Sequence, residues 1–124
     1  MSDKLKKDLT RCKDSSIIMI HNHPNSSPPS TEDFITASNF KSCFEALACG
    51  HNGNVYAFRE VYDTLGDQLG IIIKNGKKVP YYEGTRDFYV AQAKYLSNHH
   101  TELDAWNLAW KKTSETRGFI YEER

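Results

Sequence analysis

The chain has no apolar run approaching the roughly 20 residues that a membrane-spanning helix requires, which argues against a membrane protein. Its first residues, MSDKLKKDLTRCK, have no apolar centre that could act as a signal peptide. An excess of one charge is missing too. Sixteen Lys and Arg against sixteen Asp and Glu give a formal net charge of +0 at pH 7, and the basic residues are scattered apart from pairs such as Lys6-Lys7, Lys77-Lys78 and Lys111-Lys112. That removes the electrostatic case for nucleic acid or anionic lipid as a partner. Cysteine is sparse: Cys12, Cys43 and Cys49 form no C-x-x-C pair, and an odd count argues against a disulfide framework. The expectation is a reduced, cytoplasmic protein. At 124 residues the chain fits one domain with a modest core, and is too short for a large barrel.

What is present is a clear alternation of elements. Residues 3–13 carry Leu5, Leu9 and Cys12 at helical spacing after Ser2, a plausible N-cap, and read as a short amphipathic helix. SSIIMIHNH is short and β-branched, which predicts a buried strand. Residues 24–30, with three prolines and three serines, can be neither helix nor central strand. Ser30 is a good N-cap, and Asp33 falls in the first turn, where its charge favours a helix that should run to about Phe40. CFEALACGHNGNVYAFRE predicts a hairpin around Asn52-Gly53. After Glu60 the signals weaken. GIIIKNGKKVPYY reads as a strand pair or a short helix, and residues 86–98 and 101–116 have helical periodicity.

The chemistry concentrates in IIMIHNHPNSSPPSTEDF, residues 17–34. In a strand, residues i and i+2 share a face, so His21 and His23 project together. Two imidazoles on one face can share a metal, and a carboxylate is a common third ligand for zinc. Asp33, at the start of the next helix, is the nearest candidate, and Ser30 would face the same cleft as a donor to a substrate carbonyl or its oxyanion. Each residue also has a bland reading. Ser30 and Asp33 make an ordinary helix N-terminus, a role compatible with the metal site. His51 reads as a turn residue, His99 and His100 as a helix boundary, and Cys43 and Cys49 as buried thiols. Phe88, Tyr95, Trp106 and Trp110 at helical spacing read as core or partner-facing.

H-x-H-P, a short loop and S-x-x-D resembles the zinc motif of the JAMM/MPN+ metallopeptidases, including the RadC-like and phage- or toxin-associated prokaryotic branches. The matching residues are His21, His23, Pro24, Ser30 and Asp33, and the likeness covers roughly residues 15–60. It implies a Zn2+ ion held by His21, His23 and Asp33 together with a water, and Ser30 polarising the substrate carbonyl. It also implies an α/β fold: a mixed central sheet flanked by helices, in the three-layer, cytidine-deaminase-like manner of MPN domains, with a helical C-terminal tail. Residues 1–60 would be the zinc-motif core, and residues 61–124 a mostly helical extension packing on it.

Two departures from the family pattern matter. The loop between His23 and Asp33 is one residue shorter than in many members, and loops vary most. The family also places a glutamate, its general base, on a strand before the helix that precedes H-x-H, whereas the first glutamate here is Glu32. The expectation is a chain that starts one element late: a fragment, a chain whose base comes from another chain, or a site that binds without efficient turnover. Two functions follow from the resemblance. One is a zinc metallopeptidase or isopeptidase acting on a peptide or protein substrate. The other is a catalytically weak binding or assembly module, its aromatic helical tail docking on a protein partner. Amidohydrolase and phosphoesterase barrels also open on H-x-H but need roughly 200 residues or more. Zinc nucleobase deaminases need H-x-E and P-C-x-x-C, where this chain has Asn22 and no C-x-x-C.

Overall fold

The computed structural model describes residues 3–11, 13, 16–23 and 25–124. It is a mixed α/β structure. Helix α1 (Asp3–Arg11) precedes strand β1 (Ile17–His23), helix α2 (Thr31–Asn39), and the hairpin of β2 (Cys43–Gly50) and β3 (Val55–Arg59). A second hairpin follows, β4 (Gln68–Lys74) and β5 (Lys77–Tyr82), then helices α3 (Glu83–Ser97) and α4 (Glu102–Arg117) and a short strand β6 (Ile120–Glu123). Ser2, Cys12 and Pro24, each given a role above, lie outside the described residues.

The main sheet has the order β1-β2-β3-β6. β1 runs parallel to β2, with α2 as the crossover between them, while β2–β3 and β3–β6 are antiparallel, so the sheet is mixed. The Asn52-Gly53 turn and both strands of the first hairpin fall where the sequence places them. The segment after Glu60 is richer in strands than its helical periodicity suggested. GIIIKNGKKVPYY resolves into the β4–β5 pair, which forms its own two-stranded sheet. GFIYEER adds β6 to the main sheet after Gly118 ends α4 in the left-handed conformation at φ 81°.

β1 is not the buried strand its composition suggested. It is a sheet edge on which Met19 packs toward the core while Ile18 and Ile20 are 52% and 64% exposed. The core lies on Met19's face of the sheet. Phe34 of α2, Phe58 of β3, Trp110 of α4 and Phe119 meet there, with Phe58 and Trp110 edge-on at 4.9 Å and Phe88 of α3 stacked on Trp110 at 4.0 Å. One core therefore draws on residues from both sides of position 60, and the tail's largest aromatic side chains are inside it. On the opposite sheet face a charged row crosses the strands: Glu45 is paired with Arg59 and Arg124, and Arg59 with Glu122 at 2.7 Å. Among the described residues no helix is long and apolar enough to cross a membrane.

Candidate metal centre

The site forms where β1 ends and α2 begins. α2 opens with a capping box: the Asp33 N–H donates to Ser30 Oγ at 3.1 Å, and the Ser30 N–H donates to Asp33 Oδ2 at 3.0 Å. This reciprocal pair satisfies two backbone donors at the helix start and fixes the Asp33 carboxylate against the end of β1. Asp33 Oδ1 then lies 3.3 Å from His21 Nδ1, and Oδ2 lies 3.2 Å from His23 Nε2. Three residues that the sequence spreads from position 21 to position 33 thus converge, with Ser30 beside them.

The His23 ring is oriented from behind. Its Nδ1 is 3.1 Å from the Ser27 carbonyl oxygen and 3.1 Å from Ser27 Oγ. A carbonyl can only accept, so this contact places a hydrogen on Nδ1 and turns Nε2 toward Asp33. A backbone carbonyl behind a ring nitrogen is the usual way a ligating imidazole is held in one tautomer. An imidazole nitrogen facing a carboxylate oxygen needs a proton or a cation between them.

The donor set, two imidazoles and one carboxylate, is one that zinc takes while leaving a fourth position open. The separations of 3.2 and 3.3 Å suit donors sharing an ion at about 2.0–2.2 Å. As they stand, however, the three side chains do not close on one point. Among the described residues no group of three or more His, Cys, Asp or Glu is arranged to hold a metal ion. Asp33 offers a different oxygen to each ring and bridges them. His21 has room to turn, its side chain being 51% exposed against 14% for His23 and 12% for Asp33. The chemistry of the set fits zinc.

The surrounding loop is seated with care. Ser26 crosses the end of β2 so closely that a Cβ on Gly50 would come within 2.7 Å of the Ser26 Cα, so only glycine admits the loop there. Ser27, Pro28 and Pro29 are buried, which is unusual for a connecting segment and obliges its carbonyls to find partners. The Pro29 carbonyl accepts from two indoles, Trp106 Nε1 at 2.8 Å and Trp110 Nε1 at 2.7 Å. Next to it, Thr31 Oγ1 lies 2.9 Å from Tyr89 Oη, and Lys74 Nζ donates to Thr31 Oγ1 and to Glu32 Oε2, both at 3.1 Å. None of these supports was identified from the sequence. The i, i+4 spacing of Trp106 and Trp110 showed that they share a helix face, but not that their N–H groups reach a loop about eighty residues earlier.

The other candidates fall away from the site. His51 is exposed in the hairpin turn, and His99, at φ 67°, and His100 follow the end of α3. Cys43 is buried, and desolvation pushes its thiol up to about 11, far from a nucleophile's range. Cys49 is half-buried on β2. Glu45 is held by Arg124 and Arg59 and pairs across from Ile18, three residues down the strand from His21, about 10 Å away at strand rise. Glu60 is exposed beyond the end of β3. A small pocket lies among Met19, Pro29, Thr36 and the β2 residues Ala46, Leu47 and Ala48, beside His21 and Asp33. Compared with known protein families, with curated proteins and with solved structures, the chain finds no match.

Proposed function

We propose that this chain is a zinc-dependent hydrolase domain of the JAMM kind, acting on a peptide or isopeptide bond, with His21, His23 and Asp33 as the metal ligands and Ser30 as the carbonyl-polarising residue. The observation that carries the reading is the placement of the Asp33 carboxylate within 3.3 Å of both imidazoles by a helix that starts at Ser30. A bound zinc supplies a Lewis acid and a water whose pKa falls to about 7. The protein's part is positional. Ser27 holds His23, and the capping box holds Asp33. Ser30 Oγ already accepts the Asp33 N–H, which leaves its own hydrogen free to donate to a substrate carbonyl as negative charge develops there.

One role is unfilled. No glutamate among the described residues stands at the site: Glu45 is tied to two arginines, Glu32 to Lys74, and Glu60 is remote. The open edge of β1, with no proline between Ile17 and His23, is where a further strand carrying such a residue would pair. The same vacancy favours the second reading, a binding or assembly module that keeps the metal and lacks efficient turnover.

Cleavage of a fluorogenic peptide panel by the zinc-loaded chain separates them. The unextended chain is expected to be slow. A glutamate-bearing strand, fused upstream or added as a peptide, is expected to raise the rate by about 10²–10⁴, the usual worth of a general base, without changing zinc content. No gain, with the strand bound and zinc present, supports the binding module. Full activity without the strand shows that another residue is the base.

A further inference from the structure

We infer that Trp106 and Trp110 are positioning residues of this site, acting from the C-terminal half of the chain through the Pro29 carbonyl. The inference rests on the assignment of His21, His23, Ser30 and Asp33 given above, and adds to it the device that aims Ser30 and Asp33.

A carbonyl oxygen has two lone pairs, and both indole N–H groups fall on this one, at 2.7 and 2.8 Å. Two independent donors converging on one acceptor fix the peptide plane between Pro29 and Ser30 in direction as well as in place. That plane contains the Ser30 nitrogen, whose N–H donates to Asp33 Oδ2. The chain of contacts is therefore short: indole, Pro29 carbonyl, Ser30 N–H, Asp33 carboxylate, imidazole. Proline cannot supply an N–H of its own, so Pro28 and Pro29 can be held by backbone hydrogen bonds only through their carbonyls.

The two tryptophans have unequal second roles. Trp110 is fully buried and packs on Phe34, Phe58 and Phe88, so its ring also builds the core. Trp106 is only half-buried, at the margin of that cluster. Core filling needs a large apolar ring but no N–H aimed at a loop. Placing two indoles one helical turn apart on α4 delivers two donors to the same oxygen, which phenylalanine would not do. A second grip lies on the other side of Ser30, where Tyr89 and Lys74 meet Thr31. Ser30 thus sits between two anchored neighbours, both anchored by residues of the C-terminal half.

The test is Trp106→Phe in the full chain, which removes one N–H and keeps an aromatic ring. Two readouts are taken. In metal-free protein, amide hydrogen exchange of Ser30 and Asp33 is expected to accelerate several-fold relative to Ala57 in the central strand β3. In zinc-loaded protein, zinc affinity is expected to fall about tenfold, the lower end of what losing an outer-shell support costs a metal site. The first readout stands even if the wild-type chain takes up no zinc, so failure of the metal assignment and failure of the clamp are distinguishable. Unchanged exchange at Ser30 and Asp33 overturns the inference. So does acceleration shared equally by Ala57, which marks a general loss of stability, and so does unchanged zinc affinity where wild type binds zinc. Trp110→Phe is the companion variant, expected to show the same selective pattern on top of a lower melting temperature.

Discussion

The segment from Ile17 to Asn39 and the segment from Glu83 to Arg117 divide the work of the site unequally. The first carries every residue proposed above for metal or carbonyl chemistry, and its geometry is local: i, i+2 on a strand for His21 and His23, Ncap and N3 on a helix for Ser30 and Asp33. The second carries none of that chemistry, yet Trp106, Trp110 and Tyr89 hold the loop and helix start on which the first depends. Reactive residues can be recognised by short-range spacing, whereas the residues that aim them act across the fold.

The largest expected contrast lies in stability. Trp110→Ala removes a fully buried ring and should cost about 3–5 kcal/mol in chemical denaturation, while His21→Ala, at a half-exposed edge position, should cost less than about 0.5 kcal/mol. Comparable losses for the two would erase the division between scaffold and chemistry. A smaller effect is expected at the helix start. Ser30→Ala loses the cap to the Asp33 N–H and should cost about 1 kcal/mol while zinc is retained. Gly50→Ala sharpens the same point from the other strand: a methyl group 2.7 Å from the Ser26 backbone forces the loop to shift, so zinc affinity should fall in a zinc titration of the variant.

Much of the first region was legible because its determinants are local. β1, α2 and the β2–β3 hairpin follow from β-branched residues, a capping signal and Asn52-Gly53; the pairing of His21 with His23 follows from strand periodicity, and Asp33 was the nearest carboxylate at the next helix start. The edge position of β1 was not legible. A short run of isoleucines reads as buried, and only the strand order shows that nothing among the described residues pairs with its outer side. The strands after Glu60 were hidden for a related reason. β6 is four residues long and exists because β3 offers it an edge, a tertiary effect that overrides any local preference. The indole contacts to Pro29 span about eighty residues of sequence, and no periodicity encodes them.

The smallest expected effect concerns the cysteines. At pH 8 an alkylating reagent should modify half-buried Cys49 readily and Cys43 slowly, as mass spectrometry of the two peptides would show. Burial raises the Cys43 thiol from 9.0 to about 11. Its contribution to stability is therefore complete below pH 9 and is lost as the pH rises toward 11, a decline that Cys43→Ala should flatten. Rapid labelling of Cys43 in the native state would show that β2 opens far more easily than its packing implies.

The central claim is that a zinc ion belongs between His21, His23 and Asp33, and metal content measures it most directly. Elemental analysis of the purified chain after zinc loading and exhaustive dialysis should find about one zinc per chain. His23→Ala and Asp33→Ala should lose most of it, while His51→Ala and His100→Ala keep it. Equal loss on His51→Ala would move the site to the hairpin, and zinc-free wild-type protein would leave Asp33 as a helix cap bridging two histidines and contradict the account.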